Sequence, residues 1–204
     1  MSEESKPAAF SNVALTLISI IVALGIEHLL GHISVQISNA DGITRFLVAA
    51  QGVTTFLCIG AIWIAYATML MTAAWQPRFQ DFFAPLLILS LLYFWISAIG
   101  AGGPSWFYIA TIGWALPVYG NRFGLPDAVA VRWKPGTAEA RPSMLSHVAL
   151  CLLAAGGGAA TQIGALGGAG AAVLVSLMAV VQLFGAWFHF QWWRSTQQGD
   201  EVGR

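Results

Sequence analysis

Residues 11–35 read SNVALTLISIIVALGIEHLLGHISV, an apolar stretch long enough to cross a lipid bilayer. A membrane helix needs about 20 mostly apolar residues. This stretch contains one carboxylate, Glu27, and two histidines, His28 and His32. The residues before it are acidic and no small-residue cleavage pattern follows it, so it is predicted to remain as a first membrane span and not to be removed as a signal peptide.

The rest of the chain has a similar composition. Of its 204 residues 57% are apolar and 9% are charged, whereas an ordinary globular domain is about 25% charged. There is too little polar surface to coat a water-soluble particle, so lipid is predicted to be the solvent for most of the chain. The nine acidic residues balance the nine basic ones, which does not favour nucleic acid as a partner.

Turn formers and charged residues divide the chain into six apolar stretches. They cover residues 11–35, 45–75, 82–100, 104–120, 143–164 and 169–193. The only sizeable polar loop is 121–142, and the last two stretches are joined by a glycine-rich turn that predicts a tight hairpin. The sequence therefore predicts an all-α polytopic membrane bundle of six transmembrane helices, forming one domain over residues 1–204.

The distribution of basic residues predicts the orientation. With six spans, eight of the nine basic residues lie in segments on the same side as the N-terminus, and Arg45 is the exception. The eight are Lys6, Arg78, Arg122, Arg132, Lys134, Arg141, Arg194 and Arg204. Because cytoplasmic loops carry an excess of Lys and Arg, both termini are predicted to be cytoplasmic, with the loop 121–142 also inside.

Glu27 is the candidate for chemistry in the first span. A charge at the centre of a membrane helix costs roughly 2.5–3.5 kcal/mol, so this carboxylate needs a physical reason. At about 100° per residue, Glu27 shares a stripe of small or polar side chains that we expect to face protein and not lipid. The stripe consists of Thr16, Ala23, Glu27, Gly31 and Ser34.

His28 and His32 lie one turn apart on an adjacent face. One interpretation makes Glu27, His28 and His32 a proton or cation relay, since histidine titrates near neutrality. The other makes Glu27 a packing residue that pairs with a histidine or a glutamine, and lets His32 reach the outer interface. A metal ion is not predicted, because in the pattern EHxxxH the glutamate points about 100° away from the histidine pair.

A second pair of histidines, His147 and His189, falls near the predicted cytoplasmic ends of the fifth and sixth spans. Two histidines on facing helices can hold a haem through its axial positions. The alternative is that both are interfacial residues in an aromatic belt. We predict no bound cofactor, with haem at this pair as the alternative.

The other polar and small residues in the spans predict packing. Gln51, Gln162 and Gln182 are of the type that links membrane helices by hydrogen bonds, and a face with a small residue at every fourth position lets helices approach closely. That face consists of Gly156, Ala160, Gly164 and Gly168. Cys58 and Cys151 lie deep in apolar runs and predict no disulfide framework.

The segment Leu17–His32, with its pattern Leu-Gly-Ile-x-x-Leu-Leu, resembles the opening helix of a loosely defined family of small, uncharacterised bacterial integral membrane proteins. A second span ending in aromatic residues before a short charged turn is also similar, here with Trp63, Tyr66 and Trp75 before Gln76-Pro77-Arg78. The resemblance covers about the first 100 residues. It implies a bacterial inner-membrane protein, implies no activity, and does not account for Glu27.

Three functions compete at this point. The first is a small channel or transporter for protons or cations, with Glu27, His28 and His32 along the route. The second is an accessory or structural subunit, packed in a homo-oligomer or a larger membrane complex. The third is a haem-binding redox protein. No phosphate-binding loop, nucleophile elbow or catalytic triad is present, so an enzyme acting on a soluble substrate is not favoured, and the sequence narrowly favours transport.

Overall fold

A computed structural model describes residues 5–72, 79–119 and 141–202, and every regular element within them is a helix. The six helices are α1 (Ser5–Asn39), α2 (Gly42–Thr72), α3 (Phe79–Ser97), α4 (Ser105–Tyr119), α5 (Arg141–Gln162) and α6 (Gly168–Val202). The prediction of an all-α chain with six helices is confirmed for this part of the chain. The loop predicted at 121–142 lies almost wholly outside the described residues.

Four of the helices contain a stretch long and apolar enough to cross a membrane. These stretches are Asn12–Asn39, Gly42–Ile64, Met144–Gln162 and Gly168–Phe188. The helix α4 has 15 residues, about 22 Å of helix, against a hydrocarbon thickness of about 30 Å. Large apolar side chains such as Leu152 and Val173 are each 69% exposed, as expected for residues that face lipid.

The chain divides into two compact units, Met1–Gly102 and Gly103–Arg204. In the first unit α1 packs against both α2 and α3. The buried face of α1 carries Ile18, Ile21 and Leu29. Where α1 meets α2, a Cβ atom at Gly52 would overlap the end of the Ile33 side chain, so the glycine gives that side chain its present position between the helices.

A turn after α3 closes the first unit. Gly100 and Gly102 have φ values of +78° and +70°, a backbone conformation that favours glycine because it has no Cβ. The backbone N–H of Gly100 donates a hydrogen bond to Oε1 of Gln51 in α2, at 3.1 Å. The prediction that Gln51 links helices is therefore confirmed, and its partner is the turn that ends α3.

In the second unit α5 packs against both α4 and α6. Two glycines of α5 are required by this packing. A Cβ atom at Gly157 would lie 2.6 Å from Leu174 and 2.8 Å from Phe107, and one at Gly158 would lie 2.8 Å from Tyr108.

The face of small residues was predicted to pack within the chain or between subunits, and two of its glycines take no part in packing within the second unit. Gly156 and Gly164 are exposed, and a Cβ atom added at either would meet nothing within 4 Å. The predicted hairpin itself is confirmed, since α5 ends at Gln162 and α6 begins at Gly168. Gly164 has a φ of +72°, and the N–H of Ala165 donates a hydrogen bond to the carbonyl of Ala160 at 2.8 Å. This glycine therefore belongs to the turn that ends α5.

Candidate functional site

Glu27 lies near the middle of the first apolar stretch. With a rise of about 1.5 Å per residue it is about 22 Å from Asn12 and about 18 Å from Asn39 along the helix axis. Its side chain is exposed, and no described residue forms a hydrogen bond or an ion pair with its carboxylate. A carboxylate in this position is therefore not stabilised by the helices of its own unit.

The stripe that contains Glu27 faces away from the core of the first unit. Thr16, Ala23, Gly31 and Ser34 are all exposed, as Glu27 is. The stripe does not pack against α2 or α3, and the expectation that it faces protein stays a prediction. The face that packs lies roughly opposite, because the bulky side chains of Ile18, Ile21 and Leu29 fill the space against α2 and α3.

His28 and His32 come together as their spacing predicts. Their ring centroids are 6.3 Å apart and the ring planes are tilted by 40°. Measured around the helix from Glu27, His28 lies at about 100° and His32 at about 140°. The two histidines thus share the flank of α1 nearest its packed face, and Glu27 is turned away from them.

His32 contacts the end of α3. Its Nε2–H donates a hydrogen bond to the carbonyl oxygen of Ile99, at 3.1 Å, just after the last residue of that helix, Ser97. The last carbonyls of a helix have no partner within the helix, and a side-chain donor there is favourable. His32 is half-buried, and its place at the end of α3 leaves the interfacial interpretation as a prediction.

His28 stacks on Tyr93 of α3. The ring centroids are 4.8 Å apart and the planes differ by 9°. The Nε2 atom of His28 is buried and has no hydrogen-bond partner in the described part of the chain.

Tyr93 is the residue that sequence reasoning missed. It is an aromatic side chain within an apolar stretch, where such residues are common. Its role depends on the rotation of α3 relative to α1, which helix periodicity does not supply. The only feature of the sequence that pointed to such a residue was the presence of two histidines in an apolar helix, which need neighbouring side chains.

The residues around the Gly100 turn complete the site. A Cβ atom at Gly100 would lie 2.6 Å from Oε1 of Gln36, so α1 supports this turn with Gln36 and α2 supports it with Gln51. Three helices therefore meet through polar side chains at the end of α3, beside His32.

The structure gives less information on the other candidate sites, which are a metal site, the pair His147 and His189, and the two cysteines. Among the described residues no group of three or more His, Cys, Asp or Glu side chains is placed to hold a metal ion. His147 is half-buried in α5, whereas the side chain of His189 lies outside the described residues. The haem site at this pair therefore stays a prediction. Cys58 and Cys151 are free cysteines.

Comparison with known proteins gives no match to this chain, whether by family model, by curated protein or by solved structure. Over residues 5–72, 79–119 and 141–202 the fold is that of an all-helical protein, and four of these helices are able to cross a membrane. The resemblance to a family of bacterial membrane proteins stays a prediction from the sequence.

Proposed function

We propose that this protein moves protons or small cations across a membrane, with Glu27, His28 and His32 as the groups that carry the charge. The main support is that the buried Nε2 atom of His28 has no hydrogen-bond partner in the described residues. The ring of His28 also lies close to that of His32, with 6.3 Å between the ring centroids. Ionisable groups within membrane segments are costly and are by default taken to mark a functional site.

The three side chains form a series around α1. Glu27 opens on the exposed face, His28 lies at about 100° from it, and His32 lies at about 140°. In this proposal Glu27 and the histidine pair act on different flanks of α1, since Glu27 is turned away from the pair, and the ring of His32 donates to the Ile99 carbonyl. Each histidine can hold one proton on one nitrogen and accept another on its second nitrogen.

The proposed setting is the bacterial inner membrane, with six spans and both termini in the cytoplasm. The positive-inside distribution of eight basic residues to one supports this orientation. The helix α3 has 19 residues, about 28 Å, close to the hydrocarbon thickness of about 30 Å. The helix α4 is the shortest of the six, and the proposal of six spans depends on it.

The proposal predicts that Glu27→Gln abolishes pH-driven flux. The amide keeps the shape of the side chain but cannot take up a proton near neutral pH. We expect flux in proteoliposomes, measured with an internal pH dye, to fall to the level of protein-free liposomes. Leu24→Gln is the matched control, because Leu24 is also exposed on α1, 50% by area, and lies outside the proposed route.

Two results would overturn the transport proposal. The first is an absence of proton and alkali-cation flux by the wild-type protein between about pH 5 and 8, the range in which histidine changes charge. The second is a Glu27→Gln variant that conducts as the wild type does.

A specific observation favours a second candidate, an accessory subunit of a larger membrane complex. The stripe around Glu27 faces outward, where a helix of another protein can cover it. Purification of the full chain from native membranes in a mild detergent tests this candidate. It predicts one co-purifying membrane protein in fixed proportion, which is lost in the Glu27→Leu variant.

A further inference from the structure

We propose that a water-filled recess leads from the nearer membrane surface to the turn that ends α3, so that water reaches this turn within the depth of the bilayer. The turn, residues 98–102, belongs to the first unit and is called the Gly100 turn. As the route by which protons or hydrated cations reach His32, the recess rests on the proposed function. The presence of water at the turn does not require transport, so the two are tested separately.

The Gly100 turn lies below the end of the hairpin that α1 and α2 form. Gln51 accepts a hydrogen bond from the N–H of Gly100 and lies about 14 Å along α2 from its first residue. On α1, His32 contacts Ile99 about 10 Å before the end of the helix. Gln36 lies against Gly100 about 5 Å before that end. These contacts place the turn about 5–14 Å below the end of the hairpin.

Exposed apolar side chains continue past the level of the turn. Ile43 and Phe46 are exposed on α2, and they lie about 12 Å and about 8 Å nearer the end of the hairpin than Gln51 does. Val35, next to Gln36 on α1, is also exposed. Because long apolar helices of this kind place such side chains in lipid, the hydrocarbon layer extends beyond the level of the turn.

The turn exposes backbone groups that have no partner. Ala101 and Gly102 are exposed. Within residues 5–72, 79–119 and 141–202, no hydrogen bond is made by the N–H of Gly102 or by the carbonyls of Gly100, Ala101 and Gly102. Non-helical backbone occurs at membrane depth only where it is buried in protein or lines a water-filled cavity. Since these residues are not buried, water is the partner that remains.

Two polar side chains of α1 border the turn and lead from it to the histidine pair. Gln36 is half-buried, and its amide makes no hydrogen bond with a described residue. The ring of His32 uses Nε2 for the Ile99 carbonyl, which leaves Nδ1 for water. A hydronium ion or a small hydrated cation that enters the recess therefore meets His32 first.

A spin label at Ala101→Cys tests for water at this depth, in the full chain with Cys58→Ala and Cys151→Ala in liposomes. Collision with a water-soluble nickel chelate or with oxygen, which concentrates in lipid, reports the medium around the label. We expect the chelate to reach Ala101→Cys several-fold more readily than Phe46→Cys, the matched control. Phe46 is exposed and lies nearer the end of the hairpin, so a label there should favour oxygen.

Three results would overturn the recess. A label at Ala101→Cys that favours oxygen shows that lipid surrounds the turn. A label there that neither reagent reaches shows that protein covers it. If the nickel chelate reaches Phe46→Cys as readily as Ala101→Cys, the turn lies at the membrane surface and no recess is needed.

A flux measurement tests the recess as the route to His32. A bulky thiol reagent attached to Ala101→Cys before reconstitution should abolish proton flux, whereas the same reagent on Ala40→Cys, at the end of the hairpin, should leave it unchanged. Flux that continues after full modification of Ala101→Cys overturns this route. A chain without these modifications that shows no flux overturns the transport proposal instead, and the spin label alone then decides whether the recess exists.

Discussion

Two histidines one turn apart have different surroundings, and this difference can be measured. Nε2 of His32 donates to the Ile99 carbonyl, whereas Nε2 of His28 is buried without a partner. Removing a donor leaves a buried carbonyl unsatisfied, at a cost of about 1–3 kcal/mol. A buried nitrogen without a partner already carries that kind of cost.

The same substitution at the two positions should therefore have opposite effects on stability. We expect His32→Phe to lower the free energy of unfolding by about 1–3 kcal/mol. His28→Phe should leave it unchanged or raise it, because phenylalanine keeps the stacking on Tyr93 and removes the buried nitrogen. Thermal unfolding of both variants in one detergent measures this. If His28→Phe and His32→Phe lower the free energy of unfolding equally, the Nε2 atom of His28 has a hydrogen-bond partner in solution.

The residue types in this site could be predicted from sequence, and their neighbours could not. Glu27, His28 and His32 stand out because charged and titratable groups are rare in apolar stretches. Tyr93 and the Ile99 carbonyl do not stand out, because both belong to an apolar helix and its terminal turn. Their proximity to α1 is set by packing between helices far apart in sequence.

At the scale of helices, the face that packs was the least predictable feature. In a soluble helix the apolar face identifies the core. In α1 both faces are apolar apart from the Glu27 stripe, since lipid is as apolar as a protein core. The stripe of small and polar residues was expected to face protein, whereas the residues of α1 that are buried within the first unit are the bulky Ile18, Ile21 and Leu29.

The glycines of α5 and the following turn should differ in their tolerance of alanine. Gly164→Ala should destabilise the protein by about 1–2 kcal/mol, the cost of a left-handed conformation for a residue with a Cβ. Gly157→Ala should cost more than Gly156→Ala, because its Cβ would overlap Phe107 and Leu174 whereas that of Gly156 meets nothing. Unfolding temperatures in one detergent provide the ranking. A Gly156→Ala variant as unstable as Gly157→Ala would contradict this account of the packing.

At the scale of the whole molecule, the hydropathy of the sequence predicts where the helices lie but does not determine how many of them cross the membrane. Each of the six predicted stretches contains one helix, because an apolar stretch of this length must satisfy its backbone hydrogen bonds internally in lipid. Length alone does not decide whether the 15 residues of α4 cross the bilayer. The orientation also depends on this helix, because it determines the side on which the four basic residues of 121–142 lie.

Single cysteines can decide both points in a chain carrying Cys58→Ala and Cys151→Ala. With six spans and both termini inside, we expect Ala40→Cys and Gly102→Cys to react with an impermeant thiol reagent added from outside, and Gly136→Cys to be protected. Gly136 lies outside the described residues, and the expectation there rests on the basic residues around it. If Gly102→Cys and Gly136→Cys both react, α4 does not cross. If only Gly136→Cys reacts, the orientation is inverted. The end of α1 that carries His32, and the Gly100 turn beside it, then face the cytoplasm. The proposed proton route would in that case begin on the opposite side of the membrane.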